Sequence, residues 1–325
     1  MSRDPHSERF PGRRARGLLS VLACSALLLV AAMPACARAP VNAVQGRGSS
    51  SGTPFSGKTA LKHAVALAGI GPRYPGSPGH EKAAQYILSE IDRLGVKPEV
   101  DSFAAQTPLG PIGMKNILVK FPGKTDRVVL VGGHWDTKRE TRFAFVGAND
   151  GGSSTGFLLE LARVLKNSPP ADIGVWLAFF DGEEPLRDWT RTDSLYGSRR
   201  MAGQFRAAGT HRNIAAVVIV DMIGDRDLDL LRDLNSTGWL NEMARDVAGR
   251  LTLTVFGDMT TSVEDDHVPF AAIGLPVIDL IDLNYGPNNS YWHTAQDTPD
   301  KLSAESLTAV GRLVLGLIDA IARRK

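Results

Sequence analysis

Short apolar runs alternate along this chain with longer stretches whose apolar residues recur at helical spacing. Residues 99–103, 115–121, 127–133, 175–180, 214–220 and 275–281 read as strands. Those at 175–180 and 214–220 are almost unbroken apolar runs, the pattern of strands buried on both faces. Residues 61–67 carry helical spacing, and 81–94 places Ala84, Ile87, Leu88, Ile91 and Leu94 on one helical face. Amphipathic helices also follow Ser153 through Leu165 and span 304–322, and a short helix opens at Val268-Pro269-Phe270. Strands alternating with helices predict an α/β fold: a three-layer α/β/α arrangement around a central mixed, mostly parallel sheet. No internal repeat and no second shift in composition appears, so residues 58–325 form one domain.

The N-terminus has a different pattern. Arg13, Arg14 and Arg16 precede an apolar run over 18–33, which ends in small residues around Ala35-Cys36-Ala37. A basic region, a short apolar region and a small-residue zone make residues 1–37 an export signal. The run is too short for a membrane span. Two outcomes stay open: cleavage after Ala37, or lipidation of Cys36 with attachment to a membrane. Arg13-Arg14 is not followed closely by the apolar residues of a twin-arginine signal. The expected location is therefore outside the cytoplasm, as a periplasmic, outer-membrane lipoprotein or secreted protein. Residues 38–57, rich in Gly, Ser and Pro, read as a flexible tether.

Excluding the leader changes two readings. Both cysteines, Cys24 and Cys36, lie within it, so the domain has no disulfide framework and is held by its core alone. The formal charge of +2 also owes much to the leader arginines, and the remainder is near −1. With no Lys/Arg stripe, nucleic acid is not an expected partner, and a monomer is expected.

The chemistry gathers where the strands end. The 175–180 run stops in Asp181-Gly182-Glu183-Glu184, and carboxylates crowded at the tip of a buried strand call for a neutralising cation. Neighbouring side chains of an extended chain point to opposite sides, so one glutamate can ligate while the other handles protons. Residues 127–133 lead into His134-Trp135-Asp136, a metal ligand with an orienting carboxylate or a surface histidine. Asp150, in Gly147-Ala148-Asn149-Asp150-Gly151-Gly152, precedes a helix and reads equally as a ligand or an N-cap. Asp221 ends another strand, Glu264-Asp265-Asp266-His267 forms an acidic loop, and His293 follows the last strand. In open α/β sheets the site lies beyond the carboxyl ends of the strands. Two histidines and three carboxylates there suit zinc. His63, His80, His211 and His267 read as surface or core histidines, with His267 able to shape the site through its neighbours.

These motifs resemble the zinc aminopeptidase-like fold and, within it, the animal-type glutaminyl cyclases. The resemblance runs from about Gly71 onward and rests on GHWDTK, VGANDGG, FFDGEEP with DSLYGSR, VDMIGD, EDDHVPF and WHTAQDTPDKL. It implies one zinc held by Asp150, Glu184 and His293, with His134 and Asp221 as candidates for a second. Glu183 would be the general acid/base, and Asp221 and Asp265 would form a hydrogen-bond network beside it. Trp189 and Trp292 would wall the pocket for the N-terminus of a peptide or protein, although both could also be packing residues.

Several positions depart from the animal pattern. Glu264 stands in place of a glutamine and adds negative charge near the amine site, and Asp279 stands in place of a histidine. The segment between Ile281 and Trp292 is longer, which puts Tyr285 at the pocket rim. The expected reaction is conversion of N-terminal glutamine to pyroglutamate with release of ammonia. A two-zinc aminopeptidase and a non-catalytic binding module are the alternatives.

Overall fold

The computed structural model describes residues 54–324. Its elements run α1 (Gly57–Ile70), α2 (Pro78–Arg93), β1 (Glu99–Thr107), β2 (Gly110–Phe121), β3 (Val128–His134), α3 (Gly152–Asn167), β4 (Gly174–Phe180) and α4 (Tyr196–Ala208). They continue with β5 (Ile214–Asp221), β6 (Leu230–Asp233), α5 (Gly238–Arg250), β7 (Phe256–Thr261), α6 (Val268–Ala272), β8 (Val277–Ile281) and α7 (Ala304–Arg323). Six strands form one sheet in the order β1-β2-β4-β3-β5-β8. β4, β3, β5 and β8 are parallel neighbours, while β1 and β2 add antiparallel at one edge. The expected mixed, mostly parallel sheet is present.

Strand alternation divides the core into two layers. Val129, Val131, Val175, Leu177, Phe179, Val218 and Val220 face one side, packing with residues of α1, α2, α3, α5 and α7. Leu130, Ala178, Phe180, Val217 and Ile219 face the other, against Met201, Ala202 and Phe205 of α4 and Phe270 of α6. Apolar residues on both faces are why these strands read as unbroken runs.

Four elements were not anticipated. β6 and β7 form a separate two-stranded parallel sheet. β6 has only four residues, and β7 is largely exposed and polar, so neither carries a periodic signal. α4 is mostly polar, whereas α5 does bury Leu240, Ala244, Val247 and Ala248 at helical spacing. β8 begins at Val277 rather than residue 275, after Pro276.

The leader and most of the tether lie outside the described residues. At its end, the tether reading is corrected. Phe55 is buried, with its ring 5.0 Å from that of Phe157, and the Ser56 hydroxyl caps α1 by accepting from Thr59 N. The packed fold therefore starts before residue 58.

Candidate metal centre and active site

The carboxyl ends of β3, β4 and β5 lie side by side, which brings distant residues of the chain together. His134 is the last residue of β3 and Asp221 the last of β5. Asp150 comes just before α3, but it is not the N-cap. That position belongs to Gly151, in the left-handed region at φ 75°. A Cβ there would lie 2.4 Å from the Asp136 carbonyl and 3.1 Å from the His134 ring, so glycine is required. The N-cap reading of Asp150 is thereby excluded, and its carboxylate is free to face the histidines.

Its two oxygens divide between them. Oδ1 lies 3.3 Å from His134 Nε2, and Oδ2 lies 3.2 Å from His293 Nε2. His134 Nε2 is also 3.2 Å from Asp221 Oδ1, and His293 Nε2 is 2.9 Å from Glu184 Oε1. Two ligand triads result, Asp150–Glu184–His293 and His134–Asp150–Asp221, sharing Asp150. Ligands about 2.0 Å from a tetrahedral ion stand about 3.3 Å apart, close to the separations found here. Both Glu184 carboxylate oxygens and Asp150 Oδ2 are buried without a hydrogen-bond partner. Such groups are costly to bury unless a cation or proton meets them. These residues fit zinc.

The surrounding groups fix the ligands. Asp136 Oδ1 is 3.6 Å from His134 Nδ1, and the Asp136 carboxylate accepts from the backbone N–H groups of Glu183 and Glu184 at 3.1 and 3.3 Å. Asp136 thus lies beside the histidine and holds the paired glutamates through their backbone N–H groups. The loop passes through Gly182 at φ 68°. Asp297 holds the Asp150 loop by accepting from Asn149 N and Asp150 N at 2.8 and 3.2 Å. Fully buried Arg73 donates to the carbonyls of Trp135, Val146 and Gly147, tying the loop between β3 and α3 into place. Asp297 and Arg73 were missed in the sequence, because a structural role through backbone carbonyls or amides carries no motif.

The electrostatics follow from the crowding. Burial lowers the basicity of His134, but Asp136, Asp150 and Asp221 more than offset this and raise its pKa well above the usual value. Burial opposes ionisation of Asp150, yet contact with both histidines depresses its pKa. Burial, followed by the charges of Glu184, Asp265 and Asp266 against the opposing pull of His134, raises Glu183 well above an ordinary glutamate. That direction suits a carboxyl group that must take up a proton during a reaction.

The pocket residues divide. Trp189 and Trp292 are 39% and 40% exposed, so neither is a core packing residue. The Trp292 ring stacks on His293 with centroids 4.1 Å apart, and Trp189 Nε1 donates to Glu264 Oε2 at 2.9 Å. Trp189 and Glu264 therefore join the loops after β4 and before α6. Tyr285 is a correction. It is fully buried and its hydroxyl donates to Asp297 Oδ1 at 2.8 Å, so it lies behind the Asp150 loop rather than at the rim. Asp221, Asp265 and Asp279 are all buried, and burial followed by their mutual charge raises the pKa of Asp265 and Asp279. Of the remaining histidines, His63 pairs with Tyr86, His80 binds the Asp181 carboxylate, and His211 contacts the Phe205 carbonyl.

The chain and its fold are similar to known proteins. Residues 116–318 match Peptidase family M28. The glutaminyl-peptide cyclotransferase of Bos taurus is 30% identical over 279 residues, covering 74% of this chain and 76% of that protein. The crystal structure of an Acidobacteriales bacterium glutaminyl cyclase is 41% identical and superposes with a TM-score of 0.81, covering 87% of this chain and 100% of that one. A Zn-dependent exopeptidase from Parabacteroides distasonis is 26% identical, with a TM-score of 0.73 over 84% of this chain and 99% of that one. The chain belongs to the zinc-dependent peptidase family M28 and, within it, to the glutaminyl cyclase group.

Proposed function

We propose that this enzyme is a glutaminyl-peptide cyclotransferase that closes the N-terminal glutamine of peptides and proteins to pyroglutamate. Its kinship with glutaminyl cyclases supports the reading, and the observation that carries it is the pairing of buried Glu183 with a ligand triad one residue away. Zinc held by Asp150, Glu184 and His293 would polarise the side-chain amide of the substrate as a Lewis acid. Glu183 takes a proton from the α-amine as its nitrogen bonds to the amide carbon. It then delivers that proton to the departing nitrogen, so ammonia leaves and no water is consumed. Asp221 and Asp265 hold the charge pattern around Glu183. Trp189 and Trp292 shape the pocket and keep the bent substrate away from water, while Glu264 places a carboxylate at its edge.

One zinc is proposed. The second triad, His134–Asp150–Asp221, favours a second reading as a two-zinc aminopeptidase, in which Asp150 would be a ligand common to both sites. Retention of Glu183 with all the ligands argues against a non-catalytic binding module. The export signal supports action outside the cytoplasm, with the tether leading either from a cleaved end or from lipidated Cys36.

The test is to give purified, zinc-loaded protein Gln-peptides and Leu- or Ala-peptides, follow products by mass, and measure zinc per chain. Loss of ammonia from intact Gln-peptides with one zinc is the expected result. Free amino acids released from Leu- or Ala-peptides would replace the cyclase reading with the aminopeptidase one.

A further inference from the structure

Three ligand-capable side chains outside both triads converge in the interior. Asp265 and His267 come just before α6, and Asp279 stands at the middle of β8. Each offers one ligand atom, and these atoms lie within 4.8 Å of one another. None of the three residues belongs to the Asp150–Glu184–His293 or the His134–Asp150–Asp221 triad. All three are closed to solvent, with exposures of 2%, 0% and 1%.

Their polar atoms are not satisfied by the protein. Asp265 Oδ1 accepts from Asp266 N, but Asp265 Oδ2, both Asp279 oxygens and both His267 ring nitrogens lack a hydrogen-bond partner. Carboxylates left bare in a dry interior are costly unless something positive lies among them. Among the described residues, neither Lys nor Arg forms an ion pair with these acids, and His267 is the base beside them.

The imidazole is arranged as a metal-bound histidine is. Its Nδ1 lies 3.7 Å from Asp279 Oδ2, while Nε2 lies 3.2 Å from Asp233 Oδ2. A carboxylate beside the second ring nitrogen is the usual companion of a ligating histidine. Asp233 is itself buried and fixed, accepting from Ser236 Oγ at 2.8 Å and from Val263 N at 3.0 Å. The same Ser236 hydroxyl accepts from Asp279 N at 2.9 Å. One serine thus holds both the orienting acid and the β8 ligand.

We propose that Asp265, His267 and Asp279 hold a divalent first-row metal ion in the interior, with Asp233 orienting His267, in addition to the zinc of the ligand triads. Two carboxylates balance its charge. One imidazole among carboxylates suits Mn2+ or Zn2+ better than Mg2+ or Ca2+, which favour oxygen ligands alone. Because the group is closed to solvent, the ion is structural, tying the segment before α6 to the central sheet. The single zinc proposed for the triads is counted apart from it.

The test uses the full chain expressed in medium supplemented with Mn2+ or, separately, with Zn2+, and reads metal per chain after dialysis against EDTA. Asp150→Asn weakens both triads at once, because they share that residue. In that background about one equivalent should remain, and adding His267→Gln or Asp279→Asn should remove it. The arm that retains the ion identifies the metal. In the manganese arm, paramagnetic resonance should show coupling to an imidazole nitrogen that His267→Gln abolishes. Circular dichroism checks that each variant is folded, and the two substitutions at different ligands guard against one that is not. No metal in the Asp150→Asn protein from either medium would overturn the proposal and leave protons to neutralise the acids. Retention in both the His267→Gln and Asp279→Asn proteins would also overturn it, by placing the ion elsewhere. None of these readouts depends on turnover, so an inactive wild type would remove the cyclase reading and leave this site standing.

Discussion

Two buried acidic groups both act through charge on Glu183, and their members are partnered differently. In the ligand triads every carboxylate has a histidine nitrogen within 3.3 Å, and several buried oxygens lack a hydrogen-bond partner. Asp265, His267 and Asp279 instead bring one ligand atom each to within 4.8 Å of the others, with His267 Nδ1 3.7 Å from Asp279 Oδ2. The first arrangement suits a cation. Burial and the charges of Glu184, Asp265 and Asp266 raise Glu183, so one glutamate can be kept basic enough to accept a proton while its neighbour Glu184 serves as a ligand.

The sharpest way to break this contrast is Glu183→Gln. It should lower kcat by about 10²–10⁴-fold with zinc per chain unchanged. A variant that keeps wild-type turnover would take the proton-carrying role away from Glu183.

Removing the cation should act on stability as well as activity. With zinc at about 100 times its Kd, the folded state gains about 2.7 kcal/mol, or roughly 5–11 °C in Tm for a domain of this size. His293→Ala should abolish both this zinc-dependent shift and turnover. A full shift in that variant would place the ion elsewhere.

The exposed aromatic residues should have smaller effects that differ from one another. Trp189→Ala should raise KM by about tenfold while changing kcat less, because burying an aromatic ring against a substrate is worth about 1–3 kcal/mol. Trp292→Ala should also lower kcat, since that ring stacks on His293. Identical kinetic changes in the two variants would remove this distinction.

The smallest expected effect is on pH dependence. Burial, against N–H donors from Asp229 and Asn284, pushes Asp282 from 3.8 up to about 7. Its folded pKa is raised, so its contribution to stability is complete below about pH 4 and is lost as pH rises through about 7. Asp297 is also raised to about 7, chiefly by burial and then by the Asp150 charge. Without zinc, Tm should therefore fall between about pH 4 and 7, and Asp282→Asn should flatten part of the fall by about 2–4 °C. An unchanged slope would mean that Asp282 does not hold its proton in the folded protein.

Much of the site was visible along the chain because each strand's apolar run stops at a carboxylate or histidine. His134, Glu184 and Asp221 carry that signal directly. Asp150 did not, since an aspartate ahead of a helix is also a normal cap. Only the left-handed Gly151 behind it resolved the ambiguity. Tyr285 was misplaced for a related reason: a longer loop gives no sign of which side chains turn inward. His267 read as a core or surface histidine able to shape the site through its neighbours, but its partners Asp233 and Asp279 could not be named, because they reach it from two different strands.

By itself the sequence determined the layers, the polarity of the main strands and the residue types at their ends, because buried strands and amphipathic helices are written as local patterns of side-chain polarity. Tertiary structure decided which groups share a charge: Asp150 divided between two histidines, Asp136 joining His134 to the paired glutamates, and His267 facing Asp279. Those interactions depend on separations of a few ångströms between residues far apart in the chain, and only the folded sheet fixes them.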